Sequence, residues 1–292
     1  MNIIYNEECL AGMKKLADHS IDMCLTDHPY FLDSLDDGWN PEEIERRTTS
    51  TTGTIKSLPK GMKFDPQQGE KFQAFFEPIC VEIHRVLKPG GYFLSFSAPR
   101  LYHLAGFEIR DMIGWTYEGQ AKAFSQDHII RKNKQLSEDE KEALIKELDG
   151  WKTPQLKPCI EPICLAQKAT SGTYIQNWMT YGVGLMNTNA RIIENKFPGN
   201  IIPVAKPTKK EKGDFNDHPS VKPIKLCEHL IELFTQENAI VLDPFMGSGT
   251  TAVSAKRINR QYVGYELNGK YIPIANKRLS EIQDDSSMVR FV

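Results

Sequence analysis

What this sequence lacks narrows its class first. No stretch of its 292 residues is apolar enough to span a membrane. Met1–Leu10 carries Glu7 and Glu8 and no basic, apolar leader, so it is not read as an export signal. A cytoplasmic location with no membrane partner is the expectation. Charge of one sign is also missing: 36 basic side chains face 38 acidic ones, a net of −2. The chain as a whole is no polycation, and contact with a nucleic acid must come from a local basic face. The six cysteines form no C-x-x-C pair, and no histidines join them at zinc spacing. They are read as reduced thiols, and no metal site is expected. With 20 glycines and 17 prolines the chain is neither collagen-like nor wholly disordered. No internal repeat is visible.

What remains is an ordinary globular composition, 40% apolar and 25% charged. The length suits one large α/β domain with insertions, or two domains. Residues 2–5 read as a short strand, 10–18 as a helix and Ile21–Thr26 as a buried strand. The stretch 31–70, with Arg46 and Arg47, has poor periodicity and is expected to be a mobile loop. Phe72, Phe75, Phe76, Ile79, Ile83, Val86 and Leu87 recur at helical spacing. Lys88-Pro89-Gly90-Gly91 then stops the helix before a strand at 92–96. A capping box, Ser137-x-x-Glu140, opens a polar helix beside Arg131, Lys132 and Lys134. Residues 160–166 read as another buried strand. The span 167–217, which holds the basic run 206–212, looks irregular. The last part alternates helix 223–234, strand 239–242, a glycine turn, helix 250–258, strand 261–265 and helix 271–282.

Two constellations carry chemistry. The first is the turn Asp243-Pro244-Phe245-Met246-Gly247-Ser248-Gly249-Thr250, followed by a helix, a strand and Glu266. Glycines let the backbone approach a ligand where a Cβ would collide. An acid at the next strand end can accept both hydroxyls of a ribose. The turn is no P-loop, and Ala252 stands where a third glycine of the dinucleotide pattern would be. The second is Asp27-His28-Pro29-Tyr30 at the end of a strand. A carboxylate and a backbone carbonyl accept two N–H bonds, and an aromatic ring stacks on a flat heterocycle.

Together these motifs resemble the S-adenosylmethionine-dependent DNA amino-methyltransferases. The tetrapeptide stands before the glycine motif, an order similar to the β class of N6-adenine and N4-cytosine enzymes. Further likeness lies in Asn6-Glu7-Glu8-Cys9-Leu10, in His84-Arg85-Val86-Leu87-Lys88-Pro89-Gly90-Gly91, and in His218-Pro219-Ser220-Val221-Lys222-Pro223. The resemblance implies a Rossmann-like α/β fold: a mostly parallel sheet, helices on both faces, a circularly permuted motif order and an inserted recognition region. The expected organisation is a catalytic part at 1–166, a DNA target-recognition region at 167–217 and a cofactor-binding part of the same domain at 218–292.

The resemblance also assigns roles. Phe245, Gly247 and Gly249 would flank S-adenosyl-L-methionine, together with Pro244, Ser248 and Thr250. Asp243 would lie near its amino-acid part, Glu266 on the ribose and Glu8 and Cys9 near the adenine. His218, Ser220 and Lys222 would line the methionine side. Asp27 and the residue 28 carbonyl would accept from the target amine, Pro29 would shape the turn, and Tyr30 would stack on a flipped base. Asp in the first position leans toward adenine N6. Double-stranded DNA is the implied substrate. A homodimer and a cognate restriction endonuclease are the candidate protein partners.

One departure stands out. His28 occupies the place of the family's first proline, removing a fixed φ and putting an imidazole beside the reacting amine. It motivates a rival reading, a catalytically silent protein that keeps its cofactor and DNA surfaces. A methyltransferase of RNA or protein is a second rival, and a nicotinamide dehydrogenase is the least compatible.

Overall fold

The computed structural model describes residues 1–29, 66–97, 105–119, 123–154, 156–194 and 196–282. Tyr30, Arg46, Arg47 and most of the expected loop 31–70 lie outside the described residues.

Eight strands form one sheet: β1 (Ile3–Tyr5), β2 (Ile21–Thr26), β3 (Leu87–Ser95), β4 (Glu108–Thr116), β5 (Ile160–Gln167), β6 (Ile201–Pro203), β7 (Ile240–Asp243) and β8 (Gln261–Tyr265). Their spatial order is β1-β8-β7-β2-β3-β5-β4-β6. The first five are mutually parallel. β5 runs antiparallel to both β3 and β4, and β6 returns parallel to β4. The expected mostly parallel α/β sheet is therefore what the chain builds.

β2 is buried at all six positions, as a central strand covered on both faces must be. Its side chains divide between two cores. Met23 and Leu25 face one with α7 (Ile224–Phe234) and α8 (Thr250–Arg257). Cys24 faces the other with α2 (Pro66–Val86) and α1 (Cys9–Met13). In α2, Phe76, Ile79, Cys80, Ile83 and Val86 are buried at helical spacing. β3 begins at Leu87, so the Lys-Pro-Gly-Gly run lies inside the strand and not before it, and the strand starts ahead of the expected 92–96. Gly90 has φ +78°, and a Cβ there would stand 2.4 Å from the Asn177 side chain. Asp22, 6% exposed, stitches the central strands at their start. It accepts from Lys88 Nζ at 2.5 Å and from the Ile240 N–H at 2.7 Å.

Sequence and structure part company in three further places. α1 ends at Met13, short of the expected 10–18, because Lys14 caps it and the chain turns. β4 has no strand signal: its first five residues are exposed, including Ile109 and Met112, so no buried face imposes alternation. The span 167–217 is more ordered than it reads. It holds α5 (Tyr174–Tyr181), capped by a Thr173/Gln176 box, then β6 and the short α6 (Lys209–Lys212). β6 pairs with β4, so this span is partly built into the main sheet. The described helices are completed by α3 (Asp127–Arg131), α4 (Glu138–Glu147) and α9 (Tyr271–Ser280). No described helix is long and apolar enough to cross a membrane.

From β2 the sheet continues to β3 on one side, and from β7 it continues to β8 on the other. The carboxyl ends of the adjacent β2 and β7 thus flank a topological switch point, where a crevice opens in an α/β sheet.

Candidate active site

A cavity of about 340 Å³ lies at this switch point. Its walls bring together Asp27, His28 and Pro29 after β2, Glu8 and Cys9 at the start of α1, and His218, Ser220 and Lys222 before α7. Asp243, Pro244, Phe245, Gly247, Ser248 and Thr250 come from the glycine turn, and Glu266 from the end of β8. Gly249 is the one described site candidate that does not line it. Gly249 has φ +85° and approaches α9 so closely that a Cβ would stand 2.7 Å from that of Ala275. Gly247, φ +53°, leaves no room either: its Cβ would meet the His218 ring at 2.7 Å.

The acids have distinct jobs. Asp243 is 3% exposed and organises the turn. One oxygen accepts from Thr26 Oγ1 at 2.6 Å and the Phe245 N–H at 3.0 Å, the other from Thr251 Oγ1 at 2.6 Å. Burial pushes its carboxyl up to about 6, against the pull of these donors. Glu266 accepts from the Gly247 N–H at 2.8 Å and the Asn268 N–H at 2.7 Å, clasping the turn to the loop after β8. Burial pushes it up to about 7. Glu8 is the N-cap of α1, accepting from the Leu10 and Ala11 N–H groups at 2.8 and 2.7 Å. Cys9 beside it is buried, which raises its thiol and keeps it protonated.

Asp27 Oδ2 accepts from Lys222 Nζ at 2.6 Å and from Ser220 Oγ at 3.1 Å. Lys222 also reaches Glu161 Oε1 on β5, at 3.0 Å. Burial works against its charge, but Asp27 and Glu161 outweigh it and hold the ammonium above its ordinary value. The imidazole of His28 is 2% exposed and packs on Phe76 and Phe72 of α2, at ring distances of 4.3 and 5.1 Å. Burial lowers its basicity, so the ring is a neutral core group. The sequence placed this imidazole beside a reacting amine; the structure turns it into the aromatic face of α2. His218 stands edge-on to Tyr271 at 4.6 Å, and burial lowers it to about 4.

Several partners were not singled out from sequence. Thr26 and Thr251 hold Asp243, although both adjoin motif residues. Asn268 lines the cavity, and its buried Nδ2 has no partner. Glu161, an acid at the mouth of an apolar strand, was the one available signal for the Lys222 site. Of the basic clusters, Arg131 is paired with Glu142 at 2.7 Å and Lys206 sits over the Tyr117 ring at 4.1 Å.

An open sheet with a glycine turn, an acid on the next strand and a switch-point cavity defines a Rossmann-like α/β protein with a nucleotide-type site. The chain belongs to the N6/N4 DNA methylase family, whose model matches residues 21–277. It is 30% identical to the Type II methyltransferase M.HindIII of Haemophilus influenzae, over 96% of this chain and 95% of that protein. Two solved structures share the fold. The M1.HpyAVI complex with SAM has a TM-score of 0.57 at 20% identity, covering 96% of this chain and 99% of that one. The cytosine-N4-specific PvuII DNA methyltransferase has a TM-score of 0.61 at 15% identity, covering 98% and 88%.

Proposed function

We propose that this chain transfers the methyl group of S-adenosyl-L-methionine to an exocyclic amine of double-stranded DNA, adenine N6 in particular. The observation that carries the reading is that Asp27, at the tip of β2, shares one cavity with the glycine turn and Glu266. Membership of the N6/N4 family and the likeness to M.HindIII support the reaction class. Asp, rather than Ser, at position 27 supports adenine over cytosine. The Type II relative supports a place in a restriction-modification pair.

The residues present suit the cofactor. Gly247 lets the turn pass close to His218, where a Cβ would collide, and both residues line the cavity. Asn268 offers a buried N–H without a partner, and Glu266 has carboxylate lone pairs for ribose hydroxyls. Phe245, Ser248, Glu8 and Cys9 line the same cavity, with Glu8 and Cys9 assigned to the adenine side. Asp243 acts through the turn, since its oxygens already hold Thr26, Phe245 and Thr251. When bound, the cofactor supplies a methyl group on a positively charged sulfur.

The chain's own work is positioning. The target base must leave the stack, because its amino group is otherwise buried in pairing. Its lone pair is delocalised into the ring and is a poor nucleophile. Asp27 and the residue 28 carbonyl accept its two N–H bonds and favour a more tetrahedral nitrogen, freeing the lone pair. Tyr30 stacks on the base in this reading. Water or Asp27 takes the proton once nitrogen carries the methyl. The exposed parts of 167–217 are assigned to target recognition, with Lys206 and Lys209–Lys212 on phosphates. Binding should then weaken steeply with salt.

The test is transfer of labelled methyl to unmethylated genomic DNA, followed by nucleoside mass spectrometry. N6-methyladenine is the expected product. N4-methylcytosine would keep the reaction and overturn the base. Cofactor binding with no methylated base would favour the silent protein.

A further inference from the structure

The reading of Asp27 as acceptor for the target amine does not account for the ion pair beside it, a buried ammonium at Lys222 and a part-buried carboxylate at Glu161. The Lys222 side chain is 9% exposed and its ammonium lies between two carboxylates, 2.6 Å from Asp27 Oδ2 and 3.0 Å from Glu161 Oε1. The Phe96 ring backs it at 4.8 Å. The carboxylates come from different parts of the sheet, Asp27 from the tip of β2 and Glu161 from β5.

An ammonium and an exocyclic amine are both N–H donors. Where the ammonium donates to Asp27, it occupies acceptor capacity that the target amine is to use. Stripping a buried ammonium of its only carboxylate is costly, because the charge is left uncompensated. Here it is not stripped: Glu161 remains as a second partner when the contact to Asp27 loosens. We propose that Lys222 is a positioning residue that stands in for the target amine at Asp27 in the DNA-free chain, and that Glu161 retains its ammonium when the base arrives. No proton changes hands; the ammonium moves from sharing two carboxylates to resting on one. The proposal depends on the methylation reading, and adds to it a specific role for a strand outside the cofactor motifs.

Two measurements on the full chain test it. The first needs no activity. With 15N-labelled lysine, the wild-type chain should show a slowly exchanging ammonium resonance that vanishes in Lys222→Met, apart from any of Lys168, which is buried on backbone carbonyls. It should survive in Asp27→Asn, where Glu161 still holds it, and be lost in Asp27→Asn/Glu161→Gln. Loss already in Asp27→Asn would overturn the role of Glu161.

The second is methyl transfer to genomic DNA. Glu161→Gln, which is close to isosteric, should lower kcat about tenfold with cofactor affinity unchanged, because the ammonium is then bound to Asp27 more exclusively. In a Lys222→Met background Glu161→Gln should cost nothing further, so that the double variant matches Lys222→Met alone. Additive losses, or a Glu161→Gln variant as fast as wild type, would overturn the proposal. A wild-type chain that methylates no DNA would instead overturn the methylation reading itself. The resonance pattern separates these two failures.

Discussion

Every residue of β2 is buried, whereas the first five residues of β4 are exposed, and the two strands stand in halves of the sheet that differ in topology. In the parallel half the strand tips meet at one end. Asp27, Asp243 and Glu266 each end a strand or follow it directly, and all three line the cavity. The antiparallel half reaches that centre at Glu161, through Lys222. On the proposed reading, chemistry concentrates where parallel topology aligns the strand ends. The other half supports the centre and carries exposed apolar and basic residues.

The contrast is broken or sharpened most strongly at Asp27. Asp27→Ala should lower methyl incorporation by about 10²–10³-fold, the scale of losing a preorganised polar contact in a reacting site. Cofactor binding followed by calorimetry should persist. A fully active Asp27→Ala chain would remove the parallel tips from the chemistry.

Next in size is a pair of glycines with the same backbone and different surroundings. Gly249 and Gly150 have φ +85° and +82°. A Cβ at Gly249 meets Ala275 at 2.7 Å, and one at Gly150 meets nothing within 4 Å. Gly249→Ala should cost about 1–3 kcal/mol of overpacking in addition to the backbone strain the two share. In melting curves it should fall several degrees below Gly150→Ala. Equal melting points would mean that α9 yields to the turn.

A third prediction concerns pH. Burial raises Glu266 to about 7 and Asp243 to about 6, so the folded chain keeps protons that the unfolded chain releases near pH 4. Their contribution to stability is full below about pH 4 and is lost as pH rises through 6 and 7. Thermal stability should fall over that window, and Glu266→Gln should flatten its upper part. Hydroxyl donors from the cofactor favour the charged form of Glu266. Cofactor affinity should therefore rise several-fold between pH 6 and 8 in the wild type and stay level in Glu266→Gln. A level wild-type profile would detach Glu266 from the ligand. The smallest effect is expected in the outer region. Arg131 pairs with Glu142 at the surface, so Arg131→Ala should leave the melting temperature unchanged within error.

The same contrast governs what could be read without a structure. β2 is an unbroken buried run, and α2 and the helices from α7 to α9 bury faces with a regular period, so the sequence pattern placed them within a few residues. Asp27, the glycine turn and Glu266 were legible because each sits where a buried strand ends. β4 and β6 were not, because their packing is one-sided or brief and leaves no period. The Lys222–Glu161 contact was hidden for another reason: it joins two segments brought side by side only by the crossing of the sheet. His28 shows that residue type alone can mislead. Its place in the tetrapeptide put an imidazole beside the reacting amine, and its ring packs with Phe72 and Phe76.

The bond from Thr26 Oγ1 to Asp243 Oδ1, 2.6 Å long and buried, has a mechanical meaning. Thr26 is covalently next to Asp27, and Asp243 begins the glycine turn. The bond is a strut between the tip that would grip the base and the tip that would cradle the methyl donor. Anything that shifts the turn must drag the neighbouring residue with it. On that reading the chain would hold donor and acceptor at a preset spacing before either arrives, as a jig holds two workpieces.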